Sequence, residues 1–140
     1  MPMSDQGDRI RLGVAVNALR AALKIYQPDT HPAEWARTQV NLANALQYLP
    51  SAHQADNLEE AVQLYEEVLQ RVGTRDPLSR ARLLANQGNA LGHLGVFADA
   101  RSRLVEAREL FAANGDPDSA ASVDQTLIEL TDAESAGVST

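Results

Sequence analysis

Apolar residues recur along this chain at spacings of three and four, which is the pattern of one face of an α-helix. A typical stretch carries Leu12, Ala15, Leu19 and Leu23. No segment alternates with the period of two that a half-buried strand requires. The pattern therefore predicts an all-α protein. Its six helices are expected at about 9–26, 32–49, 57–72, 77–94, 97–114 and 117–133.

Proline and aspartate mark the starts of two of these helices. Asp76-Pro77 and Asp116-Pro117 each have the order of an N-cap followed by the first helical residue. Gly95 follows a helical stretch, as a C-terminal stop residue does. The expected organisation is a disordered N-terminus at 1–8, a single domain at 9–133 and a frayed tail at 134–140.

The chain contains an internal repeat. Residues 41–49 read NLANALQYL and residues 86–94 read NQGNALGHL, so the two segments share Asn, Asn-Ala-Leu and a final Leu. Each segment is followed by a second helix with apolar residues at matching spacings. A repeated helix pair of this length is the signature of an α-solenoid.

This repeat resembles the tetratricopeptide repeat family, most clearly over residues 84–107. Gly88 stands where the paired helices approach each other, Leu91 fills their interface, and Ala100 and Ala107 are the small contacts of the second helix. The resemblance implies a superhelix of about six antiparallel helices whose first helices line a concave groove that binds protein segments. In this register the array begins and ends on half repeats.

Two rows of polar residues recur on the two related first helices. Each row is an arginine followed by two asparagines at i, i+4 and i+7, so that the three side chains share one helix face. The rows are Arg37, Asn41 and Asn44, and Arg82, Asn86 and Asn89; Tyr48 and His93 correspond at the helix ends. The resemblance implies that these eight residues face the groove and bind a partner. In the structural alternative, the asparagines form inter-helix hydrogen bonds and the arginines solvate an exposed face.

Candidate catalytic groups are few. The absence of cysteine excludes a disulfide framework, a thiolate metal site and a cysteine nucleophile. His31, His53 and His93 are too far apart in sequence for a local metal motif, and no spacing suggests a Ser-His-Asp arrangement. The glutamates of the third helix fit a solvated acidic face. We therefore predict a noncatalytic protein with no metal and no cofactor.

The charge of the chain is unevenly distributed. The net charge is -7, yet residues 1–27 are basic and residues 109–140 carry acidic residues without any Lys or Arg. An acidic chain without a basic stripe is a poor candidate for binding nucleic acid or an anionic membrane. No apolar run has the length of a membrane span, and residues 1–8 do not form a secretory signal, so we expect a cytoplasmic protein.

Three hypotheses for function follow from these features. The first is a protein-interaction module whose paired arginines bind a peptide, including an acidic one. The second is a self-assembling or structural homo-oligomer joined through its open terminal helices, because one end is basic and the other acidic. The third is a segment of a longer repeat array, against which the Met start and the polar end argue.

Overall fold

The computed structural model of the protein describes residues 5–72 and 75–138. Within these residues it contains six α-helices and no strand, which confirms the all-α prediction. The helices are α1 (Asp5–Ile25), α2 (Pro32–Tyr48), α3 (Gln54–Val72), α4 (Pro77–Leu94), α5 (Phe97–Ala113) and α6 (Pro117–Val138). Helices adjacent in sequence pack on each other, an arrangement consistent with a helical repeat fold.

The two terminal helices are longer than the sequence predicted. α1 begins at Asp5 and α6 continues to Val138, so residues 5–8 and 134–138 are helical where a disordered start and a frayed tail were expected. The carboxylate of Asp8 lies near the N-terminus of α1, where the helix dipole favours negative charge. At the other end, Glu134 accepts a hydrogen bond from Arg101, which ties α6 to α5. Residues 1–4 and 139–140 lie outside the described residues.

The chain divides into two compact units between Leu64 and Tyr65, and each is described by itself. The prediction of a single domain over 9–133 stays a prediction.

The first unit is built from α1, α2 and the first part of α3. Its buried apolar side chains are Val16, Trp35, Leu42, Ala43, Leu46, Leu58 and Ala61. The Gln39 side-chain amide donates to the backbone carbonyl of Leu64 at 3.3 Å, which joins α2 to α3. Arg20 on α1 forms a two-pronged ion pair with Glu60 on α3, at 2.7 and 2.9 Å. The hydrogen bonds from Arg20 lower the pKa of Glu60 below its ordinary value.

The second unit is built from the rest of α3 together with α4, α5 and α6. Its core contains Tyr65, Leu84, Leu104, Phe111 and Leu130, all buried. α4 packs on α5, and α5 packs on α6.

Gly88 sets the distance between α4 and α5. A Cβ added there would lie 2.7 Å from Leu104 Cγ and 3.3 Å from the backbone carbonyl oxygen of Ala100. Because a carbon atom cannot approach another that closely, only glycine permits this packing. One turn further along α4, a Cβ at Gly92 would lie 3.1 Å from Leu130 Cδ1 of α6. The prediction that the paired helices approach each other at Gly88 is confirmed.

Ion pairs link α5 to the helices around it, with the arginine on α5 in most of them and the acid, Glu106, on α5 in the pair with Arg80 of α4. The ion pairs of the second unit include Arg80–Glu106, Arg101–Glu134, Arg103–Glu66 and Arg108–Asp124. Two of these acids lie on α6, so part of the acidic charge of α6 is balanced by α5. The order of the Arg101–Glu134 and Arg108–Asp124 pairs shows that α5 and α6 are antiparallel. The Arg80–Glu106 pair and the approach of Gly88 to Ala100 show the same for α4 and α5.

Two aspartate–serine pairs cap helices of the second unit. Ser79 donates its backbone N–H and its hydroxyl to the Asp76 carboxylate at the start of α4, and Ser119 does the same for Asp116 at α6. These bonds hold the pKa of Asp76 and of Asp116 below the ordinary value for aspartate. Both predicted N-caps are thus confirmed.

Replacing Gly88 with alanine should destabilise the protein although alanine is the better helix former. The new Cβ overlaps Leu104, and overpacking of this kind costs about 1–3 kcal/mol against a helix gain of about 1 kcal/mol. The matched control is Gly13→Ala, because nothing lies within 4 Å of a Cβ at Gly13. Urea unfolding should show Gly88→Ala less stable than the wild type and Gly13→Ala equally or more stable. Two variants of equal stability would contradict the packing described for α4 and α5.

The Asp116 cap should give the protein a pH-dependent contribution to stability. Since folding lowers the pKa of Asp116, this contribution is complete above the ordinary aspartate pKa, about 3.9, and is lost as the pH falls through the lowered folded value. Asp116→Asn keeps a capping acceptor without the titration. The melting-temperature difference between wild type and variant should be constant above about pH 5 and shift against the wild type at lower pH.

The control for this measurement is Asp118→Asn, which removes one acidic charge from the same helical turn without touching the hydrogen bonds from Ser119. If wild type and Asp116→Asn lose stability in parallel down to about pH 2, the cap does not titrate as described.

Candidate functional site

An open cleft of about 320 Å³ lies on the surface of the second unit. One wall is α4, the other is α6, and side chains of α5 lie at its base. The α4 wall carries Arg82, Ala85, Asn86 and Asn89; the α6 wall carries Ser119, Ser122, Val123 and Thr126; α5 contributes Leu104 and Phe111. The cleft therefore combines polar side chains on both walls with apolar side chains beneath them.

Helical spacing positions the polar side chains of the α4 wall. Arg82, Asn86 and Asn89 lie at i, i+4 and i+7, which puts them on one face. Residues at other positions of the same turns, Leu84 and Leu91 among them, are buried in the core. The structure thus brings this predicted row together at a single cleft.

The opposite wall presents hydroxyl groups. Ser119, Ser122 and Thr126 lie at i, i+3 and i+7 on α6, again on one face. The Ser119 hydroxyl donates to the Asp116 cap, and the Thr126 hydroxyl donates to the carbonyl of Ser122 at 3.2 Å. A hydroxyl that donates internally keeps lone pairs that can accept from a ligand.

The charge of Arg82 acts on both capping carboxylates of the unit. The pKa of Asp76 is lowered first by the hydrogen bonds from Ser79 and to a smaller extent by Arg82. For Asp116 the bonds from Ser119 dominate, and Arg82 again adds to the effect. One guanidinium therefore stands in the field of two carboxylates, so this end of the cleft is not strongly cationic.

α4 and α6 meet beyond the cleft. At Gly92 the absence of a side chain lets Leu130 of α6 approach α4 closely, as the 3.1 Å distance to a Cβ built there shows. The cleft-lining residues all precede this contact on both helices. The Gly92–Leu130 contact thus fixes the spacing of the two walls.

The other predicted row lies on α2, in the first unit. Arg37 and Asn41 are exposed and Asn44 is half-buried. Tyr48, 61% exposed at the end of the same helix, lines a different open cleft of about 550 Å³. That cleft is formed by Asp8, Arg9, Arg11, Leu12, Tyr48 and Pro50.

His93 differs from its neighbours in the predicted set. It is exposed on α4 but does not line the cleft with Asn86 and Asn89. The reason is its position along the helix axis: His93 lies four residues beyond Asn89 and past Gly92, where α6 already contacts α4.

Sequence reasoning missed the hydroxyl wall and the cleft beside Tyr48. The Ser and Thr residues of α6 share a face that the sequence displays, but hydroxyl residues on a helix are ordinary surface residues and carry no specific signal. The Tyr48 cleft depends on where α1 lies relative to the end of α2, which follows from tertiary packing.

In the part of the chain that the structure describes, no three His, Cys, Asp or Glu side chains come together in a way that could hold a metal ion. No helix within residues 5–72 and 75–138 has the length and apolar character needed to cross a membrane. Comparisons of the chain with protein-family profiles, with curated proteins and with solved structures each find no match.

Proposed function

We propose that this chain is a noncatalytic protein-interaction module of the tetratricopeptide-repeat type, in which the cleft between α4 and α6 binds a segment of another protein. The observation that carries this proposal is that Arg82, Asn86 and Asn89 line one cleft opposite a row of hydroxyl groups. The close helix approach at Gly88 and the left-handed turn at Gly95, where φ is +82°, support the family assignment.

The size of the polar row limits the segment it can hold. From Arg82 to Asn89 the helix rises by about 10 Å. An extended chain covers that length with about three residues. The cleft therefore suits a short linear motif, with the remainder of the partner outside it.

Each part of the cleft has a counterpart in an extended peptide. Asparagine amides offer both a donor and an acceptor, which match the alternating N–H and C=O groups of a peptide backbone. Leu104, Phe111 and Val123 offer an apolar base for one aliphatic or aromatic side chain of the ligand. Arg82 offers a planar fork to a carboxylate or carbonyl at the end of the row.

The charges around the cleft limit how acidic the partner segment is expected to be. Because Asp76 and Asp116 already stand in the field of Arg82, a strongly acidic segment would meet repulsion as well as attraction. The partner we propose is a segment with one apolar side chain and one carboxylate, in the cytoplasm. Arg37, Asn41 and Asn44 give the first unit a related polar face, which belongs to the same proposal.

The proposal is tested with peptides selected on the whole chain from a randomised display library of about eight residues. Fluorescence polarisation with the strongest selected peptide should show about tenfold weaker binding for Asn89→Ala and for Arg82→Ala, since each change removes a hydrogen bond to the ligand. The control is Arg75→Ala, an exposed arginine outside the cleft, which should bind as the wild type does.

Circular dichroism should show that each variant remains folded. Selected peptides that bind the Arg82→Ala/Asn89→Ala double variant as tightly as the wild type would rule out this cleft as the binding site. Failure of the library to give any binding peptide would count against a linear-motif partner altogether.

A further inference from the structure

α1 has apolar residues on two opposite faces. One face, with Val16 at its centre, packs into the first unit. The other is a stripe of exposed residues spaced four, four, three and four apart along the helix. These residues are Ile10, Val14, Ala18, Ala21 and Ile25, and the three large ones are 59%, 63% and 68% exposed.

A helix with two apolar faces is typical of a position between two neighbours. The stripe runs from Ile10 to the end of α1 at Ile25 and contains no charged residue, so it is a continuous docking surface and not a set of isolated exposed side chains. Basic residues border it, with Arg11 near one end and Lys24 near the other. The occupant that fits is therefore a helix with a matching apolar line and acidic ends.

α6 has such a face. The exposed residues Asp118, Ala121, Gln125, Ile128 and Asp132 follow one another at spacings of three, four, three and four. Ile128 is 58% exposed in the middle of this line, and an aspartate stands at each end. None of the five lines the cleft between α4 and α6.

The two faces are largely complementary when the helices run antiparallel. In one register, four of five positions bring side chains of similar size or opposite charge to the same level. These pairs are Lys24 with Asp118, Ala21 with Ala121, Asn17 with Gln125, and Val14 with Ile128. At the fifth position Asp132 comes level with Ile10, next to Arg11. Alanines at the same level let the helices approach, and the amides of Asn17 and Gln125 can bond to each other.

We propose that α6 of one copy of this chain docks antiparallel on the exposed stripe of α1 of a second copy. Each copy offers one α1 and one α6, so the contact is heterologous and joins copies head to tail, in an open chain or a closed ring. Charge disfavours the symmetric alternatives, because pairing α1 with α1 brings basic residues together and pairing α6 with α6 brings aspartates together.

The contact is a single helix pair, which lies at the small end of protein interfaces, below about 1,200 Å². Association is therefore expected to be reversible. Sedimentation velocity should show the wild type shifting from monomer to larger species between about 10 μM and 1 mM. Raising the salt concentration from about 0.05 to 0.5 M should move this shift to higher protein concentration.

Two variants each disrupt one of the two contacting surfaces. Val14→Asp places a charge in the stripe of α1, and Ile128→Asp places one in the face of α6; both sites are exposed, so both variants keep the fold. Each variant alone should stay monomeric. Mixed in equal amounts they should form a dimer and nothing larger, because only the intact α6 of Val14→Asp and the intact α1 of Ile128→Asp can pair. Val105→Asp, at another exposed valine, is the control and should associate as the wild type does.

Several results would overturn the proposal. A wild type that remains monomeric at about 1 mM has no such contact. An Ile128→Asp variant that still dimerises alone would assign the stripe to an α1–α1 contact. A mixture that stays monomeric would show that the two faces do not recognise each other. The sedimentation assay uses no peptide, so its outcome does not depend on whether the cleft between α4 and α6 binds one.

Discussion

The close approach of α4 to α5 at Gly88 is the constraint on which the second unit depends. Leu104 of α5 occupies the space that a side chain at Gly88 would fill. With α4 seated this deeply, Gly92 comes into contact with Leu130 of α6, so α4 meets α5 and α6 within a single turn. The cleft exists because α4 and α6 touch there and leave the preceding turns apart, with α5 beneath.

Ion pairs and hydrogen bonds then link the helices that close packing has positioned. The arginines of α5 reach acids on α3 and α6, and the bond from Gln87 to Glu66 at 3.0 Å adds a further link between α3 and α4. These pairs are partly exposed, so each contributes little stability by itself. Their effect is to select one arrangement of neighbouring helices, since shifting a helix by one turn would separate several pairs at once.

The sequence predicted the fold class well because helix formation in this chain is strongly marked. Pro32, Pro77 and Pro117 begin helices where expected, and the Asp–Ser caps form as the local sequence implies. α6 was predicted too short, because Glu134 gains its partner Arg101 from another helix, and no local pattern records that contact.

Of the two walls of the candidate site, only the α4 wall could be predicted from the sequence. The spacing of Arg82, Asn86 and Asn89 places them on one face whatever surrounds them, and the structure adds a cleft at that face. Three other features depend on which helices lie beside the row. They are the hydroxyl groups of the opposite wall, the location of Tyr48 at another cleft and the absence of His93 from this one. Spacing along one helix determines which side chains share a face, whereas tertiary packing determines what they face.

Nuclear Overhauser spectroscopy tests the central constraint most directly. The α-protons of Gly88 should give strong cross-peaks to the methyl groups of Leu104, and those of Gly92 should give cross-peaks to a methyl group of Leu130, since the carbon atoms concerned lie in contact. Both sets of cross-peaks together would establish the packing that forms the cleft. Their absence in a folded, assigned protein would contradict the packing of α4 on α5 and α6.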